Sequence, residues 1–242
     1  MDTLKGYNII DLEGARNVRD LGGIPCAGGK QTAMGVFIRA AGLGDLTERD
    51  QEILLEYGVD CIIDLRSQRE VCDKPDSLAE HEKIVYRNIP MLDQVQSNIS
   101  KQELMYPSSM QTMYMGLLDL DGELIRQVFD LLSDPQYRCM VFHCTAGKDR
   151  TGIIAMLLLD LAGVSREDIL HNYVISGDLV RPLLRAQEIE GIPSYVFESR
   201  PEFMADTYTH LQRKYGGARE YLLAQGNTPQ QLESLLKTFV EP

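Results

Sequence analysis

Residues 138–162 have the sequence RCMVFHCTAGKDRTGIIAMLLLDLA, and this stretch decides the fold. Its first part, Arg138–His143, is a short apolar run that predicts a buried strand of a parallel sheet. Its last part, Arg150–Ala162, is strongly apolar and stops at Gly163, which predicts a buried helix. The residues between them, Cys144 to Asp149, form a tight loop. A strand, a tight loop and a helix in this order are typical of an anion site, because the loop N–H groups and the positive end of the helix dipole converge.

The rest of the chain continues this alternation of strands and helices. Three further apolar runs predict buried parallel strands: Val36–Arg39, Cys61–Leu65 and Val85–Ile89. Helical patterns with capping residues accompany them: Glu48–Tyr57 between Thr47 and Gly58, Gly122–Leu132, and Arg166–Ser176 after Ser165. From about residue 181 to residue 240 only helix-like patterns occur. The sequence therefore predicts one α/β domain over residues 1–242, in three layers: a central, mostly parallel sheet flanked by helices, with a helical C-terminal third.

The loop carries a nucleophile and an anion clamp. Cys144 lies where the positive field is strongest, and helix N-termini lower the pKa of a cysteine thiol from about 8.5 to about 3.5–7.5. A thiolate there can attack a bound phosphoryl group. Arg150 can hold two phosphate oxygens with its planar fork, and Thr151 can donate its hydroxyl to the sulfur. The rest of the loop is expected to bind the remaining phosphate oxygens: Thr145, Ala146, Gly147 and Lys148.

These residues together predict a phosphomonoester hydrolase that forms a phospho-cysteine intermediate at Cys144. The pattern His-Cys-x5-Arg-Thr-Gly with Gly147 fixes six positions, so a chance match in a chain of this length is on the order of 1 in 10⁵. Two other functions use a similar loop: a phosphate-binding module without turnover, and a sulfurtransferase. Pure binding does not need the thiol, and a sulfurtransferase loop does not need the Arg-Thr-Gly continuation.

Composition argues against several classes of protein. Asp and Glu total 36 against 24 Lys and Arg, a formal net charge of −12, whereas non-specific nucleic-acid binding needs a basic footprint. The longest apolar run, near Ile153–Leu159, is too short to span a bilayer, and the N-terminus lacks the pattern of a signal peptide. The five cysteines form no Cys-x-x-Cys pair, which argues against a metal site and fits a reduced, cytoplasmic protein. Export without a recognisable signal stays open.

The string from His143 to Gly152 resembles the signature loop of the protein tyrosine phosphatase superfamily, in its bacterial branch of tyrosine phosphatases with lipid phosphatase activity. Other stretches resemble the same branch: Asn17–Gly23, Arg39–Ala41 with Leu46 and Thr47, Ile63–Ser67, and Tyr215–Gly217 with Tyr221 and Leu222. The resemblance implies a phosphatase without metal or cofactor, whose partners are phosphorylated proteins or phosphoinositides. Phosphotyrosine is the expected substrate, with dual specificity or a phosphoinositide preference left open.

The general acid that protonates the leaving oxygen is left open among three carboxyl groups. The chain has no tryptophan, so the Trp-Pro-Asp loop of ordinary tyrosine phosphatases is absent. Asp149 is the first candidate because it lies inside the loop. Asp93 is the second, because it follows a predicted strand and could reach the site from a mobile loop. Asp64 ends another predicted strand, but an ion pair with a neighbouring arginine is the favoured interpretation of that residue.

Several residues are assigned to binding or support. Lys148 either faces the ligand, where it would suit a multiply phosphorylated head group, or is a solvated loop lysine. Arg19 and Asp20 are expected to hold the N-terminal segment against the loop, and His143 to hydrogen-bond the loop backbone. The irregular stretch Gln94–Ser109 predicts either a functional loop or lid that forms a wall of the substrate pocket, or a tolerated insertion.

Overall fold

The computed structural model describes residues 6–91, 109–185 and 194–241. The strands in these ranges are β1 Asn8–Ile9, β2 Arg19–Asp20, β3 Gln31–Thr32, β4 Phe37–Ala40, β5 Cys61–Asp64, β6 Val85–Asn88, β7 Met140–His143 and β8 Val240–Glu241. The α-helices are α1 Glu48–Tyr57, α2 Gln68–Asp73, α3 Met110–Leu120, α4 Gly122–Leu132, α5 Arg150–Leu161, α6 Arg166–Arg185, α7 Pro201–Tyr215, α8 Ala218–Gln225 and α9 Pro229–Phe239.

The central sheet has the strand order β1-β2-β4-β7-β5-β6. Its four longer strands are parallel to one another, and the two-residue strands β1 and β2 add an antiparallel edge. The last residues of three parallel strands, Ala40, His143 and Asp64, stand side by side in register. The chain therefore leaves these strands at one edge of the sheet, which is where open α/β sheets bind their ligands.

The sheet separates two hydrophobic cores. Alternate strand residues face opposite sides: Phe37, Ile63 and Phe142 belong to the larger core, while Ile38 and Val141 belong to the smaller one. Helix α1 covers the smaller core, and most of the other helices cover the larger. Each such side chain, fully buried, stabilises the fold by about 1.5–3 kcal/mol. The mixed α/β class and the mostly parallel central sheet are thus as predicted.

Local capping fixes α1 where the sequence places it. The Thr47 hydroxyl accepts a hydrogen bond from the Asp50 N–H at 3.1 Å, and the Asp50 carboxylate accepts one from the Thr47 N–H at 2.9 Å. This reciprocal capping box satisfies two N–H groups that the first turn of the helix leaves without partners. Gly58 ends the helix with φ of 101°, a left-handed conformation that favours glycine.

Helix α5 is buried on all sides, as its continuous apolar sequence predicts. It contacts β4 and β7 on one side and α3, α6 and α8 on the others. Its residues from Arg150 to Leu161 are buried apart from Asp160, which is half-buried. The Asp160 carboxylate accepts hydrogen bonds from the Tyr208 hydroxyl at 2.8 Å and the Ala218 N–H at 2.8 Å. Both of its oxygens are therefore hydrogen-bonded.

Several expectations for the fold need correction. The C-terminal third is not helical throughout, since β8 pairs with β3 some 210 residues away. Helix α6 runs to Arg185, well past Ser176. Of the predicted lid, residues 94–108 lie outside the described residues, and Ser109 caps α3, with its hydroxyl accepting from the Thr112 N–H at 3.1 Å. No helix in the described ranges combines the length and apolar character needed to cross a membrane.

Candidate active site

The loop of residues 144–149 leaves β7 at the ligand-binding edge of the sheet and enters α5. Three of its carbonyl groups are held by residues behind it. The Asn17 amide donates to the Ala146 and Gly147 carbonyls at 3.1 and 2.8 Å. Arg39 Nη2 also donates to the Gly147 carbonyl, at 2.8 Å. The Gly42 N–H donates to the Thr145 carbonyl at 3.0 Å.

This tethering orients the peptide groups of the loop. The N–H and C=O of a trans peptide point in opposite directions. A carbonyl that is hydrogen-bonded to the body of the protein therefore directs the N–H of the next residue to the opposite side of the loop. In the part of the chain that the structure describes, no N–H of residues 145–149 donates to the main chain or to a side chain. Gly147 has φ of 65°, and a Cβ there would lie 2.2 Å from the Ala40 carbonyl oxygen. The loop is therefore a concave set of free donors at the N-terminus of α5, with Cys144 buried at its start.

Arg150 is held in place by a carboxylate that the sequence analysis missed. Its Nη1 and Nη2 each lie 2.7 Å from one oxygen of Glu70, a two-point ion pair. The Thr145 hydroxyl donates to the same carboxylate. Both terminal nitrogens of Arg150 thus have protein partners, and the Nε–H is the donor that no described residue accepts.

The ion pair between Glu70 and Arg150 is partly buried, and it outweighs the unfavourable effect of burial on both charges. Burial alone would raise the pKa of Glu70, but its bonds to Arg150 outweigh burial and hold that pKa well below the ordinary value. Burial likewise opposes the charge on Arg150, and Glu70 raises the pKa of the guanidinium above its usual range. Glu70 is the third residue of α2 and also caps it, by accepting from the Ser67 N–H at 2.8 Å. The Ser-x-x-Glu capping pattern was therefore a signal in the sequence that could have found this residue.

Asp149 is oriented by two buried tyrosines. The Tyr114 hydroxyl donates to Asp149 Oδ1, and the Tyr173 hydroxyl lies 2.8 Å from that of Tyr114. Burial, followed by the charge of Asp149, raises the pKa of Tyr114 well above its usual value, so the phenol stays a donor. The second carboxyl oxygen, Oδ2, has no such partner among the described residues.

Lys148 was expected either to face the ligand or to be solvated, and its position in the structure differs from both. It is buried, and its ammonium donates to the carbonyls of Val196 and Glu198 at 2.7 and 2.8 Å. It also lies 3.5 Å from Asp149 Oδ1. The expectation of a solvated loop lysine is therefore wrong, and the ammonium is engaged with main-chain carbonyls rather than free to meet a ligand. In this structure Lys148 ties the loop to the turn Ser194–Phe197.

Comparison with known proteins identifies the chain. The model of the tyrosine phosphatase family matches residues 10–241. The chain belongs to this family. A tyrosine-protein phosphatase of Nostoc commune is 35% identical over 221 residues, which cover 82% of this chain and 72% of that protein. The triple specificity protein phosphatase PtpB of Mycobacterium tuberculosis is 29% identical over 251 residues, covering 91% and 88%. The solved structure of P. aeruginosa TpbA covers 91% of this chain and 96% of its own, with 12% identity and a TM-score of 0.43.

The two supporting residues predicted for the N-terminal segment of the tyrosine phosphatase, Arg19 and Asp20, differ in their contacts with the loop. Arg19 reaches it indirectly, by donating from Nη1 to the main-chain and side-chain oxygens of Asn17, the residue that grips the loop. Asp20 does not touch the loop, because it accepts from the Gly22 and Gly35 N–H groups and from the Tyr57 hydroxyl. Asn17 itself, held at φ of 59°, was missed.

Two further predictions concern the row of residues that ends the sheet. The ion pair predicted for Asp64 is confirmed: Arg66 Nε lies 3.0 Å from both carboxylate oxygens, and Nη2 lies 2.6 Å from Oδ2. His143 Nδ1 lies 3.4 Å from the Cys144 carbonyl, a long contact with the loop backbone.

Asp93, the second candidate acid, lies outside the described residues. The buried Thr151 hydroxyl has no partner among the described residues.

The described part of the phosphatase contains a cluster with ligand spacing for a metal ion. It consists of Asp64, Asp76 and His143, all buried, with their candidate ligand atoms within 4.8 Å of one another. His143 Nε2 lies 3.1 Å from Asp76 Oδ2 and 3.7 Å from Asp64 Oδ2. Arg66 and the Tyr86 hydroxyl already bind the Asp64 carboxylate. Asp76 Oδ2 and His143 Nε2 are buried, and neither makes a hydrogen bond with a described residue.

Proposed function

We propose that this phosphatase hydrolyses phosphomonoesters through a covalent phospho-cysteine at Cys144. The observation that carries the proposal is the 144–149 loop, whose carbonyls are held from behind while its N–H groups stay free in front of a buried thiol. Such donors, together with the Nε–H of Arg150, would bind the three non-bridging phosphate oxygens and the charge that develops on them. A reduced, cytoplasmic setting belongs to the same proposal and is supported by five free cysteines.

The reaction runs in two displacements. The Cys144 thiolate attacks phosphorus, the S–P bond forms, and the P–O bond to the leaving group breaks while Asp149 gives its proton to the leaving oxygen. Water then attacks the phospho-cysteine, Asp149 takes a proton from that water, and the S–P bond breaks to restore the thiolate. Asp149 fits this role because Tyr114 holds Oδ1 and leaves Oδ2 for the proton. The Thr151 hydroxyl would stabilise the thiolate as it leaves.

The general acid is tested with two substrates that differ in the leaving group. Asp149→Asn is expected to lower kcat about 10²- to 10³-fold for phenyl phosphate, because a basic phenolate must be protonated as it leaves. For 2,4-dinitrophenyl phosphate, whose leaving group needs no proton, the loss is expected to stay below about tenfold. Asp93→Asn is the matched control, since Asp93 is the competing candidate. If the leaving-group dependence appears in Asp93→Asn instead, the assignment to Asp149 is wrong.

Phosphotyrosine in proteins is the substrate that the family membership supports best, and a phosphoinositide is a second candidate. One observation favours the second: a cavity of about 310 Å³ adjoins the loop at Thr145 and Ala146 and is lined by Arg16 and by Lys74, which is paired with Asp45. Arg16 Nη1 donates to the carbonyls of Leu12, Glu13 and Ala15 at 2.9–3.1 Å. No carboxylate of the described residues pairs with this guanidinium. A second phosphate on the substrate would find a cation here.

The two substrate classes are separated by one panel of assays. We expect turnover of a phosphotyrosine peptide in the presence of EDTA. On a phosphatidylinositol bisphosphate, Arg16→Ala is expected to lower kcat/KM about tenfold, the equivalent of about 1.4 kcal/mol. On the phosphotyrosine peptide the same variant should change kcat/KM by less than about twofold. A wild-type enzyme that leaves the phosphoinositide intact would eliminate the second candidate, and loss of all activity with EDTA would eliminate the metal-independent mechanism.

A further inference from the structure

Two arginines lie buried side by side behind the loop. Arg19 on β2 and Arg39 on β4 are direct cross-strand partners, and their exposed fractions are 0% and 1%. Like charges directly opposite each other on adjacent strands destabilise a sheet. Arginine is also among the residues that are almost never fully buried unless they are paired. A buried pair of like charges in the interior of an enzyme therefore requires an explanation.

Neutral groups supply all the described hydrogen bonds of this pair. Arg19 Nη2 donates to the Asn172 carbonyl at 2.7 Å and to the Ser176 hydroxyl at 2.9 Å. Arg39 Nη1 donates to Asn172 Oδ1 at 2.7 Å, and its Nη2 donates to the Gly147 carbonyl at 2.8 Å. Among the residues that the structure describes, no carboxylate lies within ion-pair distance of either guanidinium, and neither Nε–H has an acceptor.

Burial lowers the pKa of both guanidinium groups. Burial lowers the pKa of Arg19 well below its ordinary value, and the neighbouring charge of Arg39 lowers it further. Burial lowers the pKa of Arg39 to about 10, and the largest influence in the opposite direction comes from Cys144. The charge of Arg39 and a negative charge on Cys144 therefore stabilise each other.

We propose that Arg39, with Arg19 behind it, is a positioning residue whose unpaired buried charge stabilises the Cys144 thiolate and a bound phosphoryl group across the loop. The contact is the Gly147 carbonyl: a guanidinium donating to this oxygen polarises the peptide and strengthens the N–H on its other side. The inference deepens the proposed function and rests on it for the phosphoryl group, whereas its effect on the thiolate stands without turnover.

Other charges face Cys144, and most of them are balanced locally. The charge of Arg150 is offset by Glu70, and that of Lys148 by Asp149 at 3.5 Å. His143 stands between Asp64 and Asp76, and the phenols of Tyr114 and Tyr173 are donors that stay neutral. Arg19 and Arg39 are thus buried cations without a described carboxylate within ion-pair distance, and Arg39 contacts the loop itself through the Gly147 carbonyl.

The decisive experiment places a carboxylate next to the pair. In Asn172→Asp the side chain keeps its size and the Oδ1 that accepts from Arg39, and it loses only an Nδ2 that has no described partner. The measurement is the pH dependence of Cys144 alkylation by iodoacetamide, followed on the Cys144 peptide by mass spectrometry, beside the thermal midpoint. We expect the alkylation profile to move at least about one unit to higher pH, a tenfold loss of thiolate below the midpoint, while the protein keeps or gains thermal stability.

A structural role for the pair predicts a different result. A more stable Asn172→Asp enzyme with an unchanged alkylation profile would overturn the proposal. Arg39→Met and Arg39→Lys supply the second comparison among variants that fold: Met should move the profile as Asn172→Asp does, and Lys, which keeps the charge, should restore most of it. Equal behaviour of Met and Lys would also count against the proposal. Absence of phosphatase activity in the wild type would defeat the proposed function and leave the alkylation test intact.

Discussion

Cys144→Ser is expected to lower kcat on a phosphotyrosine peptide by at least about 10⁴-fold, the scale seen when a catalytic nucleophile is removed. A serine hydroxyl stays protonated where a cysteine thiol ionises, so the attacking group is lost while the shape of the loop is kept. The free N–H groups and Arg150 remain, and binding of the phosphopeptide should survive. Turnover is measured by phosphate release with EDTA present, and binding by fluorescence anisotropy of a labelled peptide.

The matched control is Cys72→Ser, which changes an exposed, free cysteine outside the site. Activity in this variant should stay within about twofold of wild type, as expected for a surface substitution. Cys144→Ser with undiminished turnover would contradict the covalent mechanism. If the wild-type chain binds phosphopeptide and never turns it over, the chain is the binding module that the loop alone permits. Transfer of sulfur to an acceptor would reveal a sulfurtransferase.

Arg150→Lys is expected to lower kcat/KM about 10²- to 10³-fold, the scale for removing a donor to a developing negative charge. Lysine keeps the positive charge and loses the planar fork, so it cannot hold Glu70 with two nitrogens and offer a third to phosphate. The loss should fall mainly on kcat, because the charge on a phosphoryl oxygen grows towards the transition state. Steady-state kinetics on the phosphotyrosine peptide separate kcat from KM.

A variant that keeps Arg150 and removes its partner provides the comparison. Glu70→Gln keeps the size of the side chain and one hydrogen-bond acceptor, so we expect a smaller loss than in Arg150→Lys. Near-normal kcat/KM in Arg150→Lys would show that a point charge is sufficient and that the fork has no role. The thermal midpoint is recorded for both variants, since each breaks the same partly buried ion pair.

The parallel core of the fold could be predicted from the sequence because three of its four strands, β4, β5 and β7, are buried on both faces and are largely apolar. β5 begins at the predicted residue and β4 ends one residue beyond its predicted range. The capped helix α1 was predicted to the residue, because its signals lie within it. The two-residue strands were missed because they are too short to show a period. β8 was missed for a second reason: its partner is β3, near the other end of the chain, and no local pattern reports such a pairing.

The site likewise contains residues that could be predicted from the sequence and residues that could not. The loop, its cysteine and its arginine were predictable because ten consecutive residues carry them. Asn17, Glu70 and Tyr114 reach the loop from 130, 80 and 35 positions away in the chain, and only the fold brings them there. The burial of Lys148 could not be predicted for a related reason. Its partners are carbonyls of Val196 and Glu198, and carbonyl groups are the same in every sequence.

The Glu70 carboxylate takes part in two processes that are usually separate, the folding of a short helix and the positioning of Arg150. Its Oε2 completes the capping box of α2 by accepting from the Ser67 N–H, while its two oxygens hold the two terminal nitrogens of Arg150. Helix α2 has six residues, far fewer than an isolated helix needs to persist in water. The folding of α2 and the position of Arg150 are therefore thermodynamically linked: we expect an oxyanion that fixes Arg150 to protect the amides of α2 from hydrogen exchange, and local melting of α2 to release both Arg150 and the Thr145 hydroxyl.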